Sequence, residues 1–319
     1  MSVNIYRTAE GWWADAVSGG RMVGLGLPYD STRELLDQRS ELAHAIAEAR
    51  ATDRGLIDRE DLRLLSPVTP PCRVVAQMTN YASHVRDSGM DPATVPLTFF
   101  RKASGSIAGP DADIRRPAHV EYLDYEVEIG LVVGRPIPVG ATIDPDHWDR
   151  WIAGVVTAND VSARDVQLPK TQFYESKSYP TFTPLGPALT LFEPGDAQRF
   201  RDLRLSLSVN GETRQDSSAA EMIYPPAQAL QSLARFQRLD PGDVVLTGTP
   251  GGTALKAPAK IVEILGSLLP PKRRWQAFFS AQAKNPRYLQ DGDLIEATIA
   301  TEDGAIDAGT QRTTVRVDR

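Results

Sequence analysis

From residue 69 onward the sequence breaks into short apolar, β-branched runs separated by Gly and Pro: "CRVVAQM", "YEVEIGLVVG", "WIAGVVTAND", "GPALTLF", "LRLSLSVNG", "GDVVLTGTP" and "GDLIEATIA". Runs of this length and composition, bounded by turn residues, are strands. One run with helical spacing, "PAQALQSLARFQRL", interrupts them, so strands and helices do not alternate regularly. The pattern predicts an α+β, β-dominated domain rather than a repeating βαβ array.

The first 68 residues have a different texture. Two strand-like pieces, "NIYRTAEGWWADAV" and "GRMVGLGLP", precede a helical run, "STRELLDQRSELAHAIAEARA". "SPVTPPCRVV" then places three prolines where a helix would break, which favours an extended linker. We therefore expect a small N-terminal domain over residues 1–68 and a larger domain over 69–319. Residues 256–289 read as two short helices around a Pro-Pro break, between two strand signals. With 41% hydrophobic residues the chain can bury a sizeable core. A net charge of −6 argues against nucleic acid or an anionic membrane surface as the main partner. A single cysteine, Cys72, excludes an intrachain disulfide framework and any multi-cysteine metal site. The opening residues lack a basic segment followed by an apolar core, and no apolar run approaches the roughly 20 residues that span a bilayer. The expectation is a soluble, cytoplasmic protein.

"YLDYEVEIGLVVG", residues 122–134, sets Asp124, Glu126 and Glu128 at alternate positions in an otherwise apolar run. Strand residues two apart share a face, so three carboxylates would line one side. Gathering anions is unfavourable unless water or a cation compensates them. The sequence has no G-x-S-x-G, H-E-x-x-H, P-loop or G-x-G-x-x-G motif, and only four histidines. A carboxylate site for a hard metal remains, built on Glu126 and Glu128, with a third acid available from Asp160 in "TANDVSARDVQ". The competing reading leaves the two glutamates in solvent and Asp160 as a turn or cap residue. In "TNYASHVRDSG", His84 and Asp87 are three apart, so one helical turn would bring them together as a base and its orienting acid. A surface ion pair is the alternative. Lys177 and Arg164, taken singly, are lone cations of the kind that usually face solvent.

The succession "NYASH", "FFRKASGSIAGPDADI", "LDYEVEIGLVVGR", "TANDVSARDVQ", "SKSYPTFTPLGP", "GDVVLTGTPGG" and "DGDLIEATI" resembles the fumarylacetoacetate hydrolase family over roughly residues 70–300. The resemblance implies a mixed β-sheet roll with a small N-terminal domain. It implies a divalent metal, Mg²⁺ or Mn²⁺ (with Ca²⁺ able to replace it in a crystal), held by Glu126, Glu128 and Asp160. By the same resemblance Lys177 matches the lysine of a "K-S-[FY]" motif, and Arg164 and Gln167 match a substrate-side "ARD-x-Q". Thr249 lies in a loop that borders the pocket, and Tyr81 joins the substrate contacts. Asp124 is expected to support or border the site.

Hydrolytic members of the family carry His and Glu three apart after "N-Y"; here the pair is His84 and Asp87, an acid one carbon–carbon bond of about 1.5 Å shorter. The implied activity is hydrolysis of a carbon–carbon bond in a 1,3-diketone or acylpyruvate-like substrate through an enolate, with His84, Asp87 and Lys177 catalytic. The alternative is 2-oxo-acid decarboxylation, isomerisation or hydration at the same metal site. The expected partners are a small-molecule keto acid or diketone and a second copy of the chain. Residues 256–289 would wall the pocket or contact the partner subunit.

Overall fold

Every residue of the strand Val127–Val133 is buried, Glu128 included, because the strand runs inside a ten-stranded sheet. Its neighbour on one side is the equally buried strand Ile152–Asn159, paired antiparallel with Val127 opposite Asn159. On the other side lies Val244–Leu246. That strand pairs parallel with Val74–Met78, which carries the edge strand Thr98–Lys102. Strands buried on both faces read as near-continuous apolar runs, as "VEIGLVV" and "IAGVVTAN" do. The computed structural model describes residues 2–16, 20–51, 55–170, 172–256 and 270–318.

A second sheet of five strands runs in the order Glu212–Ser218, Arg204–Val209, Leu294–Ala300, Asp307–Val317 and Ile114–Arg116. The main apolar core draws on both sheets, with Ile129, Leu131 and Val155 from the first and Leu205, Leu207, Ile295 and Ile299 from the second. Helix Pro226–Ala234 closes this core through Leu230 and Leu233. The architecture is mixed, with β-structure predominating.

The leading residues add Val3–Thr8, Gly11–Asp15, Arg21–Gly24 and Ile57–Asp58 to the ten-stranded sheet, joined at Leu189–Leu191. The helical run expected over 31–51 divides into Thr32–Asp37 and Arg39–Ala51. Ser31 and Glu34 form a capping box at its start, as "STRE" favours. Residues 257–269 lie outside the described residues, so only the second expected helix of the run 256–289, Pro271–Gln282, can be placed.

Candidate metal centre

Strand register assembles the acids. Opposing Val127 to Asn159 places Glu126 beside Asp160, whose backbone N–H donates to the Glu126 carbonyl at 2.8 Å. The Asn159 side chain accepts the Glu126 N–H at 2.9 Å and fixes the turn out of the strand. Glu126, Glu128 and Asp160 are all buried, and one carboxylate oxygen from each lies within 4.8 Å of the other two. The expected row of three same-face acids is interrupted, however. Asp124 belongs to a separate two-residue strand paired with Ser162–Ala163. It reaches the site through Arg164, whose Nε donates to Asp124 Oδ2 at 2.9 Å while Nη2 bonds Glu126.

Buried carboxylates need compensation. Lys177 Nζ bridges Glu126 Oε2 at 2.8 Å and Asp160 Oδ2 at 2.6 Å. Lys102 Nζ takes the other Asp160 oxygen and the Phe182 carbonyl. Four acids thus face three cations, one negative charge in excess. The excess falls on Glu128, whose only protein donor among the described residues is Gly248 N–H at 2.8 Å on Oε2. Burial, with Asp160 and Glu126 beside it, pushes the Glu128 carboxyl well above its ordinary range. Burial acts the same way on Glu126, but Lys177, Arg164 and His84 outweigh it and hold that carboxyl below its ordinary range. Lys177 is raised: burial opposes its charge, and Asp160 with Glu126 overcome the penalty. Lys102 is lowered, since burial exceeds the attraction of Asp160. A converging set of hard oxygen donors with one under-compensated carboxylate fits a divalent cation such as Mg²⁺, Mn²⁺ or Ca²⁺.

His84 comes from the short helix Ala82–Asp87 and is half-buried, close enough to Glu126, Arg164, Lys177 and Asp124 for their charges to act on its ring. Desolvation of the ring dominates and holds its imidazole below the usual 6.5, and Nδ1 has no hydrogen-bond partner among the described residues. Asp87 does not meet His84 as the three-residue spacing suggested. Its Oδ2 instead accepts the Gly252 N–H at 3.1 Å, because the helix packs its Ser83 and Asp87 side onto the 251–252 turn. Tyr81 is fully buried, its hydroxyl without a hydrogen-bond partner among the described residues, and burial and Glu128 raise it well above the usual 10.

The other expected substrate contacts are committed within the protein. Thr249 Oγ1 donates to the Val127 carbonyl at 2.9 Å and accepts from Gln215 at 2.8 Å. Gln167 accepts from Arg164 Nη1 at 2.8 Å, so Arg164 spends its donors on Asp124, Glu126 and Gln167. Lys102, Asn159 and Gln215 escaped the sequence reading. Lys102 lies in "FFRKASGSIAGP", but nothing in a lone lysine signals burial.

The helix Pro271–Gln282 docks next to the Asp124 segment. Phe279 stacks on Tyr122 with ring centroids 5.1 Å apart, and Tyr122 Oη donates to the Phe279 carbonyl at 2.8 Å. Beyond the helix, Leu289 N–H donates to Leu123, Asn285 to Ala254, and Arg287 to Gly252.

Residues 73–316 match the family model described as fumarylacetoacetate (FAA) hydrolase C-terminal. Among curated relatives, a mitochondrial oxaloacetate tautomerase of Bos taurus is 34% identical over 224 residues, covering 70% of this chain and 69% of its own. The Homo sapiens oxaloacetate tautomerase is 31% identical over 245 residues, covering 75% and 76%. Among solved structures, a probable 2-hydroxyhepta-2,4-diene-1,7-dioate isomerase from Mycobacterium abscessus superimposes with a TM-score of 0.74 at 29% identity, covering both chains fully. A fumarylacetoacetate hydrolase from Exiguobacterium antarcticum gives 0.71 at 27%, covering 99% of this chain and all of its own. No described helix is long and apolar enough to cross a membrane.

Proposed function

The chain belongs to the fumarylacetoacetate hydrolase family, and from that premise we propose that it moves a proton at the carbon next to the carbonyl of a 2-oxo acid, a metal-dependent tautomerase or isomerase. Glu126, Glu128 and Asp160 would hold Mg²⁺ or Mn²⁺. Bound there, the cation would polarise the substrate carbonyl and offset enolate charge. With a divalent ion the cluster's excess negative charge becomes one positive charge, which suits an anionic substrate. His84, its imidazole held below the usual range, takes the proton from the carbon beside the carbonyl and delivers it to the carbonyl oxygen, so that the keto form becomes the enol with mass conserved. Lys177 keeps Glu126 and Asp160 converged, and its ammonium adds positive charge where the enolate forms.

The observation that carries this reading is Asp87. It bonds the Gly252 amide and leaves His84 without the acid that a water-activating dyad uses. The naming of the curated relatives as oxaloacetate tautomerases supports the same choice. Hydrolysis of a carbon–carbon bond in a 1,3-diketone or acylpyruvate is the second reading, favoured by the Exiguobacterium antarcticum relative. Incubation with oxaloacetate and with acetylpyruvate, followed by ultraviolet absorbance and mass analysis, separates them. Accelerated enol–keto exchange with mass conserved supports tautomerisation. Two fragments with water incorporated would establish hydrolysis, and CO₂ release decarboxylation. His84→Ala should lower the productive rate by at least about a hundredfold. A homodimer belongs to the same reading and is checked by light scattering.

A further inference from the structure

Helix Ala82–Asp87 has only six residues, too few to hold its shape from internal hydrogen bonds alone. Val85 buries one side of it, and a pair of polar side chains ties down another. Ser83 and Asp87, one turn apart, accept two consecutive backbone donors: Gly251 N–H to Ser83 Oγ at 3.1 Å and Gly252 N–H to Asp87 Oδ2 at 3.1 Å. The turn is shaped for this grip. A Cβ at Gly251 would fall 3.0 Å from Asp87 Oδ2 and 3.1 Å from Ser83 Cβ. Gly252 has a φ of +104°, and a Cβ there would lie 2.2 Å from the Arg214 carbonyl. The Gly252 carbonyl is held in turn by Arg287 Nη2 at 2.7 Å and Tyr125 Oη at 3.2 Å.

We propose that Ser83 and Asp87 form a latch that clamps the His84 helix to the Gly251–Gly252 turn, and that Asp87 is a positioning residue acting through this backbone contact rather than as the acid partner of His84. The inference rests on His84 being the base. Successive helical side chains diverge by about 100°, so His84 leaves the helix at a different angle from Ser83, and the charges that act on its ring are those of Glu126, Arg164, Lys177 and Asp124. The shorter aspartate side chain then has a reason: its reach matches the Gly252 amide.

Asparagine retains the acceptor that the latch needs and lacks the charge that a dyad needs. Asp87→Ala, by freeing the helix, should lower kcat by about tenfold or more with metal affinity unchanged. Asp87→Asn should rescue most of that loss. Hydrogen exchange of the amides over residues 82–88 in the full chain, measured without substrate, should rise in Asp87→Ala and in Ser83→Ala and return towards wild type in Asp87→Asn. An Asp87→Asn variant as slow as Asp87→Ala would overturn the latch in favour of a charge on His84. Unchanged exchange in Asp87→Ala would overturn it independently of any assay. If His84→Ala keeps normal turnover while Asp87→Ala raises exchange, the latch stands and the base assignment falls.

Discussion

The acids of the site were legible because they break a rule. Charged residues at alternate positions in an apolar strand demand a partner, and Glu126 and Glu128 could be picked out on that ground. Lys102 could not, since burial at a sheet edge is a property of the fold. Two predictions belong at this scale. Burial, with Asp160 and Glu126 beside it, raises the Glu128 carboxyl well above its ordinary range, so cation binding at this carboxylate is coupled to loss of a proton. Mn²⁺ titrated calorimetrically at neutral pH, in two buffers of different ionisation enthalpy, should therefore release protons; equal heats in the two would show the carboxyl already ionised. The His84 imidazole lies below its usual 6.5, so the unfolded chain binds the more protons between that depressed value and 6.5. Its contribution to stability is full above 6.5 and declines as pH falls through that window. In activity the same shift should put the acid limb of kcat/KM below 6.5, and a limb centred at or above 6.5 would show a different base.

At the scale of elements, apolar periodicity found the strands that cross the core and missed the polar ones. Glu212–Ser218 and Asp307–Val317 carry Thr, Arg and Asp on their partly exposed faces and bury Gln215 and Gln311, leaving too few apolar residues to register as strands. The division of the run over 31–51 was equally silent, though its Ser31 capping box is plain in "STRE". For the helix Pro271–Gln282 the open question is what its aromatic face covers. Phe279 and Tyr122 stack beside the segment carrying Asp124, with Trp275 behind at 5.9 Å. Such a pair contributes about 0.5–1.5 kcal/mol beyond its buried area. Phe279→Ala should lower thermal stability by a few degrees and, where the helix walls the substrate site, raise KM with little change in kcat. Loss of a dimer in light scattering, with kinetics intact at saturating protein, would assign this face to the subunit interface instead.

At the scale of the whole molecule, the sequence changes texture near residue 68, yet one ten-stranded sheet takes strands from both sides of that point. We propose that residues 1–68 form a small module attached by strand pairing rather than by the linker alone. Val3–Ile5 pairs antiparallel with Leu189–Leu191, which also pairs with Ile152–Asn159. Gly154 allows the close approach in that second pairing, for a Cβ there would sit 1.9 Å from the Thr190 carbonyl. Tyr6, Met22 and Leu64 bury Ala188, and Val3 and Ile5 pack with Leu191. A chain starting at residue 69 would open the Leu189–Leu191 edge, leaving unpaired N–H and C=O groups beside newly wetted apolar side chains. Each fully buried aliphatic side chain is worth about 1.5–3 kcal/mol, and about 1 kcal/mol moves the midpoint of a chain this size by about 2–4 °C. The shortened protein should accordingly melt more than about 5 °C lower or associate in light scattering. Its Mn²⁺ affinity should survive, since Glu126, Glu128, Asp160, Lys102 and Lys177 all lie beyond residue 69. An unchanged midpoint and an unassociated product would mean that the leading strands are fastened without being needed.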